Sequence, residues 1–112
     1  MAILRATREV LLAGPADITT VYTPATGYDG WVDGFSLCNT SGAAADVELW
    51  RGGTTAAGSI LSAKQIVAGD TYLAKEILGQ WIKDGATVYA RATVNAVVAC
   101  VMSAREFPIP ES

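Results

Sequence analysis

The stretch Thr87-Val-Tyr-Ala-Arg-Ala-Thr-Val-Asn-Ala-Val-Val-Ala-Cys-Val-Met-Ser103 decides the fold class of this chain. In its first half, small apolar residues alternate with polar or aromatic ones, which is the period-two pattern of a β-strand with one buried face. In its second half both alternating sets are apolar, which is typical of a strand covered on both faces. One set would face the core. A terminal arm or a neighbouring subunit would cover the other set, which consists of Val97, Ala99 and Val101.

Short β-rich runs separated by turn signals continue outward from this stretch. The predicted strands are Glu9–Leu12, Ile18–Tyr22, Trp31–Leu37, Asp46–Trp50, Tyr72–Ile77, Thr87–Thr93 and Asn95–Ser103. Short strands at this spacing are typical of a sandwich or a barrel. A regular helix over residues 70–83 is disfavoured because Gly79 interrupts it, while a turn or two of helix there stays an open alternative. We therefore predict an all-β chain, an antiparallel β-sandwich of about seven to eight strands that is jelly-roll or immunoglobulin-like.

The chain length predicts a single domain over residues 1–112. Residues 1–6 are expected to form a short N-terminal arm, and residues 107–112 a Pro-containing C-terminal tail. Pro108 and Pro110 cannot donate hydrogen bonds within a central sheet, so the last strand is expected to stop before them. Both terminal segments are expected to be poorly ordered before assembly.

Alternation also predicts which side chains face the core. The inward sets are Phe35 and Leu37; Val47 and Leu49; Val88, Ala90 and Ala92; and Ala96, Val98, Cys100 and Met102. Asp46 and Glu48 would point outward from the strand that carries Val47.

Charge is scarce in this sequence. Hydrophobic residues make up 51% of the chain and charged residues 17%, whereas average globular domains carry about 25% charged residues. Small neutral surface residues, another chain that covers part of the surface, or both, would account for this. The net charge is −3 and no basic stripe is present, which argues against nucleic acid as a direct partner. The longest apolar run is too short to span a bilayer and no secretory signal is recognisable, so we expect no membrane partner and synthesis in the cytoplasm.

Residues that usually carry catalysis or hold a metal are scarce. The chain has no histidine, which removes the commonest general base and the commonest zinc ligand. Acidic residues such as Asp46 and Glu48 lack the spacing of a calcium loop and are interpreted as solvated surface charge. Cys38 and Cys100 are expected to be buried free thiols in a reducing compartment. We therefore predict no enzyme activity, no catalytic residue, no metal site and no cofactor.

The chain carries three tryptophans, a residue type that is enriched at interface hot spots. Each could instead pack at the edge of the core. Trp50 lies on the polar side of its strand, with Asp46 and Glu48, and is therefore the first candidate for an interface. Exposed tryptophans would also suit carbohydrate binding if polar groups converge beside them. The candidate interface residues are Trp50, Trp31, Trp81, Val97, Ala99, Val101, Phe107 and Ile109.

The segment Phe35-Ser-Leu-Cys-Asn-Thr-Ser-Gly-Ala-Ala-Ala-Asp-Val-Glu-Leu-Trp50 resembles a module of small structural proteins of tailed bacteriophages. In that module a strand ends in an Asn-Thr-Ser/Gly turn, and a second strand of the form V-x-L follows. Later segments are similar to the module too, so that the resemblance covers residues 9–106: Val67-Ala-Gly-Asp-Thr, Asp84-Gly-Ala-Thr-Val-Tyr-Ala-Arg-Ala, Val94-Asn-Ala-Val-Val and Ser-Ala-Arg-Glu106. The connection over residues 78–83 is longer than in the module, and the strand boundaries there stay open.

The resemblance implies a β-sandwich that serves as a virion component, and it carries over no catalytic residue. The expected function is that of a non-enzymatic bacteriophage virion structural protein, most specifically a capsid decoration (cement) protein that stabilises the head through protein–protein contacts. A neck, tail or fibre-attachment protein is the alternative, and a carbohydrate-binding β-sandwich module is the second alternative. The implied partners are further copies of the chain, with a trimer favoured, and the major capsid protein or other virion proteins. The implied location is the virion, after synthesis in the cytoplasm of the host bacterium.

Overall fold

The computed structural model describes residues 3–12, 18–53, 58–93 and 97–110. Strands form most of these residues, and their bounds are β1 Leu4–Leu11, β2 Thr19–Tyr22, β3 Tyr28–Asn39, β4 Ala45–Arg51, β5 Ser59–Ile66, β6 Thr71–Leu73, β7 Trp81–Ile82, β8 Val88–Ala92 and β9 Val98–Pro108. The strands pair in antiparallel fashion throughout the described part of the chain. They form two sheets packed together, which confirms the prediction of an all-β antiparallel sandwich.

The strands divide between the two sheets in the order of a jelly roll. Sheet I has the order β1-β9-β3-β6, with β7 also paired to β3, and sheet II has the order β2-β8-β4-β5. Apart from the β4–β5 hairpin and the short β7, each strand is followed along the chain by a strand of the opposite sheet. This order is that of a jelly roll and differs from the immunoglobulin-like alternative.

The core lies between the sheets and is made by the side chains that alternation predicts to face inward. The predicted inward residues within the described ranges are all buried: Phe35, Leu37, Val47, Leu49, Val88, Ala90, Ala92, Val98, Cys100 and Met102. Ala96 lies outside the described residues. Burial of this apolar surface stabilises the fold by about 25 cal/mol per Å² removed from water.

Two strands of the structure are missing from the sequence prediction. β5 escapes the period-two pattern because Ala63 has a left-handed φ of 51° and the register against β4 shifts nearby. Only Leu61 and Ile66 of this strand are buried. β7 is too short to produce a periodic pattern, and it is defined by the pairing of Trp81 with Trp31.

The prediction of a strand over Tyr72–Ile77 is wrong in its second half. β6 ends at Leu73. Beyond it, the N–H groups of Ile77 and Leu78 donate to carbonyls three residues earlier, at 3.2 and 3.3 Å, which is the pattern of a turn.

The predicted N-terminal arm is wrong in its second half. Residues 4–6 belong to β1 and pair with residues 104–106 of β9. β1 is an edge strand that is largely exposed on both faces, so its sequence lacks the alternation that marks a half-buried strand. Residues 1 and 2 lie outside the described residues.

The predicted C-terminal tail, residues 107–112, includes two residues that belong to the last strand. β9 continues beyond the predicted end at Ser103 as far as Pro108, with Phe107 opposite Asp29 and Pro108 opposite Tyr28. Pro108 is tolerated because its nitrogen points away from β3, since the bond to β3 is made by the next residue, Ile109. The chain beyond it is still held, because the N–H of Ile109 donates to the Gly27 carbonyl at 3.0 Å. Residues 111 and 112, like residues 95 and 96 of the predicted last strand, lie outside the described ranges.

One end of the sandwich is organised by the buried side chain of Asn39, which opens the Asn-Thr-Ser turn. Its Nδ2 donates to the carbonyls of Ala43 and Ile66 at 2.7 and 2.9 Å, and its Oδ1 accepts from the Ser41 N–H at 3.0 Å. Because Ile66 ends β5, these bonds join the β3–β4 turn to sheet II. The turn therefore has a structural role, and the buried amide has partners for both its oxygen and its nitrogen.

Candidate interaction surface

The side of sheet I that faces away from the core is called here the outer face of sheet I. Alternate residues of four strands build it, and the register places them in rows across the sheet. One row consists of Glu9, Val101, Ser36 and Leu73, and the next of Leu11, Ala99, Cys38 and Thr71. Neighbouring side chains within a row project from the same face and lie within contact distance of each other.

The large apolar side chains in these two rows are exposed. Leu11 is 58% exposed, Leu73 67% and Val101 42%, while Ala99 and Cys38 are half-buried. Sheet II packs on the opposite side of sheet I, and within the described ranges no strand lies over these rows. Large apolar side chains that are exposed together on one face of a sheet, and not scattered singly, favour an interaction site.

The described N-terminal residues do not cover this face. β1 continues sheet I at its edge, beside β9, and adds Leu11 to the exposed rows. The sequence leaves two covers open, a terminal arm or a neighbouring subunit. Residues 3–12 do not form such an arm over this face, and a neighbouring subunit stays a prediction. Val97, predicted in the same set as Ala99 and Val101, precedes β9 and packs against the core.

Trp31, Trp81 and Phe107 meet at the other end of the outer face of sheet I and form an aromatic cluster. The ring centroids of Trp31 and Trp81 are 5.0 Å apart and those of Trp81 and Phe107 5.4 Å, both in the edge-to-face arrangement that aromatic rings favour. Gly79, with a left-handed φ of 78°, turns the chain beside the Trp31 ring, where an added Cβ would be 3.6 Å from it. Trp81 remains 44% exposed. Three predicted interface residues therefore lie together.

The two rows described above are called here the apolar rows, after their exposed Leu11, Leu73 and Val101. Polar side chains separate them from the aromatic cluster and are called here the polar belt: Arg5, Asp33, Ser103 and Arg105. At its centre, the Asp33 carboxylate accepts from the Ser103 hydroxyl at 2.7 Å and lies 3.3 Å from Arg105 Nε and 3.7 Å from the Arg5 guanidinium. The register of β3 against β9 shifts at Asp33, and such a bulge can re-aim a side chain. The Arg105 guanidinium also lies 5.9 Å from the centroid of the Phe107 ring.

Trp50 has a different environment, on the outer face of sheet II. It is 7% exposed, and the Arg91 guanidinium lies 5.4 Å from its ring centroid. Arg91 is held in place by the Glu48 carboxylate at 2.6 Å. The sequence correctly puts Trp50 on the side of Glu48, but it does not reveal that the neighbouring strand supplies a cover. In the isolated chain Trp50 therefore offers little surface to a partner.

Among the apolar and thiol side chains in the two rows, sequence reasoning misses three: Leu11, Cys38 and Leu73. Leu11 follows at even spacing from Arg5, and an assignment of β1 from Leu4 would have placed it on this face. No sequence signal places Leu73, because its face depends on how the short β6 pairs with β3. Ile109, the last of the predicted interface residues, lies just beyond β9 and is 37% exposed.

Glu106 is the one charged side chain that is buried within the described ranges. The Tyr22 hydroxyl donates to its Oε2 at 2.5 Å, and the Ala25 N–H donates to its Oε1 at 3.3 Å. Burial first, and then the bond to Glu106, raise the pKa of Tyr22, so the phenol stays protonated and keeps donating. Gly30 makes room for the ring, because an added Cβ would collide with the hydroxyl. Both carboxylate oxygens have partners, so the pair is a tie between β9 and β2 and not a free acid or base.

Cys38 and Cys100 are both free thiols, as predicted. They lie on neighbouring strands, but Cys38 is opposite Ala99, so the two side chains point to opposite faces of sheet I. This geometry does not allow a disulfide between them. Burial raises the pKa of Cys100 to about 12. Cys38 is only half-buried, contrary to the expectation that both thiols are buried.

The described residues contain no group of three histidine, cysteine, aspartate or glutamate side chains placed to bind a metal ion. No helix in this part of the chain is long and apolar enough to cross a membrane. On the outer face of sheet I, a shallow depression of about 280 Å³ lies at Gly34, beside Leu73 and Val101. Its open shape suits a side chain of another protein better than it suits a small ligand, which usually binds in an enclosed cleft.

No protein-family model matches the chain, and no curated protein and no solved structure is significantly similar to it. Jelly rolls occur in viral capsid proteins, in lectins and in cupins, so the fold alone does not determine the function. The outer face of sheet I exposes three large apolar side chains in adjacent rows, and an inference about function can start from it.

Proposed function

We propose that this chain is a non-enzymatic assembly protein, and that another protein covers the outer face of sheet I in the working state. The observation that carries the proposal is the exposure of Leu11, Leu73 and Val101 in adjacent rows of one sheet. A solvent-facing sheet normally alternates apolar residues toward the core with polar residues toward water. Apolar residues on both faces of β9 are explained if a partner occupies the second face.

In its most specific form, the proposal is a bacteriophage capsid decoration protein that binds the major capsid protein in the virion. Two features of the sequence support this form. Residues 35–50 and the later segments between residues 67 and 106 resemble small phage structural proteins, and the chain has a low charged fraction of 17%. A neck, tail or fibre-attachment protein would use the same face, and it differs only in the virion part to which the chain binds.

Binding would be driven by the apolar rows and oriented by the polar belt. Each Å² of apolar surface removed from water contributes about 25 cal/mol, before the costs of association are subtracted. The depression at Gly34 would accept a side chain of the partner. Asp33, Arg5 and Arg105 in the belt would restrict the orientation of the partner more than they would add affinity.

Carbohydrate binding is a second candidate function, and one observation favours it. The aromatic cluster exposes Trp81 at 44%, and the Asp29 carboxylate, paired with Lys83 at 3.7 Å, lies on the strand that pairs with β7. An exposed ring beside a carboxylate can stack on a sugar and accept its hydroxyl groups. The buried Trp50 gives this candidate no support, so it depends on the aromatic cluster alone.

The test is a binding isotherm of the purified protein on phage heads prepared without it, read by sedimentation and light scattering. Saturable binding to heads, with a fixed number of copies per particle, is the expected result. Binding to isolated tails but not to heads would select the neck or tail alternative. If the protein binds neither, the assembly proposal is contradicted, and retention on immobilised glycans that Trp81→Ala abolishes would then select carbohydrate binding.

A further inference from the structure

β1 is an edge strand of sheet I with one side left unpaired in the described structure. Its eight residues pair with β9 on one side, and within the described ranges no strand pairs with the other side, called here the free edge of β1. An unpaired edge of this length is a template for another strand. Such strands bind through backbone hydrogen bonds, and their side chains determine which partner fits.

The phase of the β1–β9 ladder fixes which backbone groups point to the free edge. The N–H of Leu12 donates to the Val98 carbonyl at 2.9 Å, and the register continues without a shift from there to Leu4. Hydrogen-bonded and non-hydrogen-bonded pairs alternate along an antiparallel ladder. The even-numbered residues of β1 therefore bond to β9, and the N–H and C=O groups of Arg5, Thr7 and Glu9 point to the free edge.

The side chains of these odd-numbered residues are arranged symmetrically about Thr7. Arg5 and Glu9, two positions to either side, carry opposite charges. Ile3 and Leu11, four positions to either side, are both apolar and are 57% and 58% exposed. A strand with this pattern is complementary to a second copy of itself that runs in the opposite direction.

We propose that β1 pairs antiparallel with β1 of a second copy of this chain, about a two-fold axis at Thr7. Sheet I would then run without interruption through two subunits. The axis stands perpendicular to the sheet, so the outer faces of the two subunits lie on the same side of the joined sheet. Each outer-face residue of one β1 therefore lies opposite an outer-face residue of the partner's β1. The opposed pairs are Arg5 with the partner's Glu9, Ile3 with the partner's Leu11, and Leu4 with the partner's Val10.

The two neighbouring registers of the same symmetry fit less well. A shift of two residues in one direction places Arg8 opposite the partner's Arg8. A shift in the other direction places Ile3 opposite the partner's Glu9 and leaves Arg5 without an acidic residue opposite it. Since like charges directly across a strand pair destabilise it and opposite charges stabilise it, the register centred on Thr7 is favoured.

Charged residues on edge strands also serve to prevent pairing. Arg8 is the residue that would do so here, because it is exposed on the core-facing side of β1. In the register centred on Thr7 it lies opposite the partner's Ala6, a small side chain. The long stem of Arg8 can therefore pass over this alanine and keep its guanidinium in water.

This pairing goes beyond the proposed function and does not depend on what covers the outer face of sheet I. It would place the apolar rows of two subunits on one side, as a single wider surface. It predicts a dimer, whereas the resemblance to phage structural proteins favours a trimer. The oligomer mass therefore distinguishes the two.

The experiment compares the solution mass of the wild-type protein with that of Thr7→Pro by light scattering over a range of concentrations. Proline at position 7 removes an N–H that faces the free edge and leaves the bonds to β9 in place. We expect the wild type to reach twice the chain mass of 11.7 kDa, and the variant to stay at the chain mass. Near-ultraviolet circular dichroism checks that the variant is folded, and amide exchange of Thr7 should be slow only in the dimer.

Charge reversal keeps the proposal testable if Thr7→Pro does not fold. Arg5→Glu and Glu9→Arg each put like charges opposite each other and should raise the dimer Kd by about tenfold. The double variant restores opposite charges and should return the Kd to the wild-type value. A trimer, a monomer at the highest concentration, or a dimer whose Kd is unchanged by these substitutions would overturn the proposal. Head binding by a wild-type monomer would overturn it too and leave the proposed function standing.

Discussion

The outward-facing tryptophans of the two sheets differ in their exposure to solvent. On sheet II, Trp50 is 7% exposed, because Arg91 lies over its ring and is held there by Glu48. On sheet I, Trp81 packs edge to face against Trp31 and Phe107 and is still 44% exposed.

The difference lies in the side chains of the neighbouring strands. Trp81 lies opposite Trp31 of β3, which is the strand that β7 pairs with in the described ranges. On sheet II the side chain opposite Glu48 is Arg91, which is long enough to cover an aromatic ring. On sheet I the side chains opposite Val101 are Glu9 and Ser36, which leave it 42% exposed. Sheet II therefore covers its outward-facing tryptophan with its own side chains, whereas sheet I leaves large apolar side chains exposed. Under the proposed function, a partner covers these side chains of sheet I.

The largest effect is expected from a charge placed on the apolar rows. Val101→Lys should cost about 2 kcal/mol or more of binding free energy toward the partner particle, about thirtyfold in Kd. The fold should persist, because the new lysine lies opposite Glu9, where an ion pair can form. Sedimentation with phage heads measures the Kd, and thermal unfolding measures the stability.

Thr20→Lys is the matched control, since Thr20 is exposed on sheet II and its neighbour in the register is Tyr89. It should bind like the wild type. Equal losses from both substitutions would mean that the two outer faces do not differ in function.

The next effect separates the tryptophans by their contribution to stability. Trp50→Ala should lower the free energy of unfolding by about 3 kcal/mol, because a large buried side chain is removed. Trp81→Ala should lower it by about 1 kcal/mol, the value of its aromatic contacts. Urea unfolding of the two variants measures both values. A larger loss of stability from Trp81→Ala than from Trp50→Ala would contradict the assignment of Trp50 as the covered ring and Trp81 as the exposed one.

The smallest effect concerns the ion pair that holds the cover over Trp50. Glu48→Gln keeps the size of the side chain but removes its charge, and it should lower the free energy of unfolding by about 0.5 kcal/mol. The same urea titration measures it, with Asp46→Asn on the same face as the control. A loss as large as that of Trp50→Ala would mean that the ion pair alone keeps the ring buried.

Most of the fold could be predicted from alternation, and most of the candidate surface could not. Val88, Ala90 and Ala92 alternate with polar residues, and all three are buried in the structure. The same alternation fails for β1 and β5, because edge strands bury few side chains and so carry little period-two signal. Because β1 lacks this signal, the sequence predicts an arm over residues 1–6, whereas in the structure residues 4–6 belong to the strand.

The surface depended on pairings that no local pattern encodes. Val101 and Trp81 could both be named as interface candidates from the sequence. Their separation into apolar rows and an aromatic cluster depends on the register of β9 and β7 against β3. Trp50 shows the same limit, since its cover by Arg91 depends on the β4–β8 pairing.

The most direct test of the outer face of sheet I is alkylation of Cys38 with iodoacetamide near pH 8, in the free protein and in the protein bound to phage heads. Cys38 lies in the apolar rows, while Cys100 is buried with a pKa raised to about 12 and serves as the unreactive internal control. The account predicts that Cys38 is labelled in the free protein and protected in the bound one. Labelling of Cys38 at the same rate in both states would contradict it.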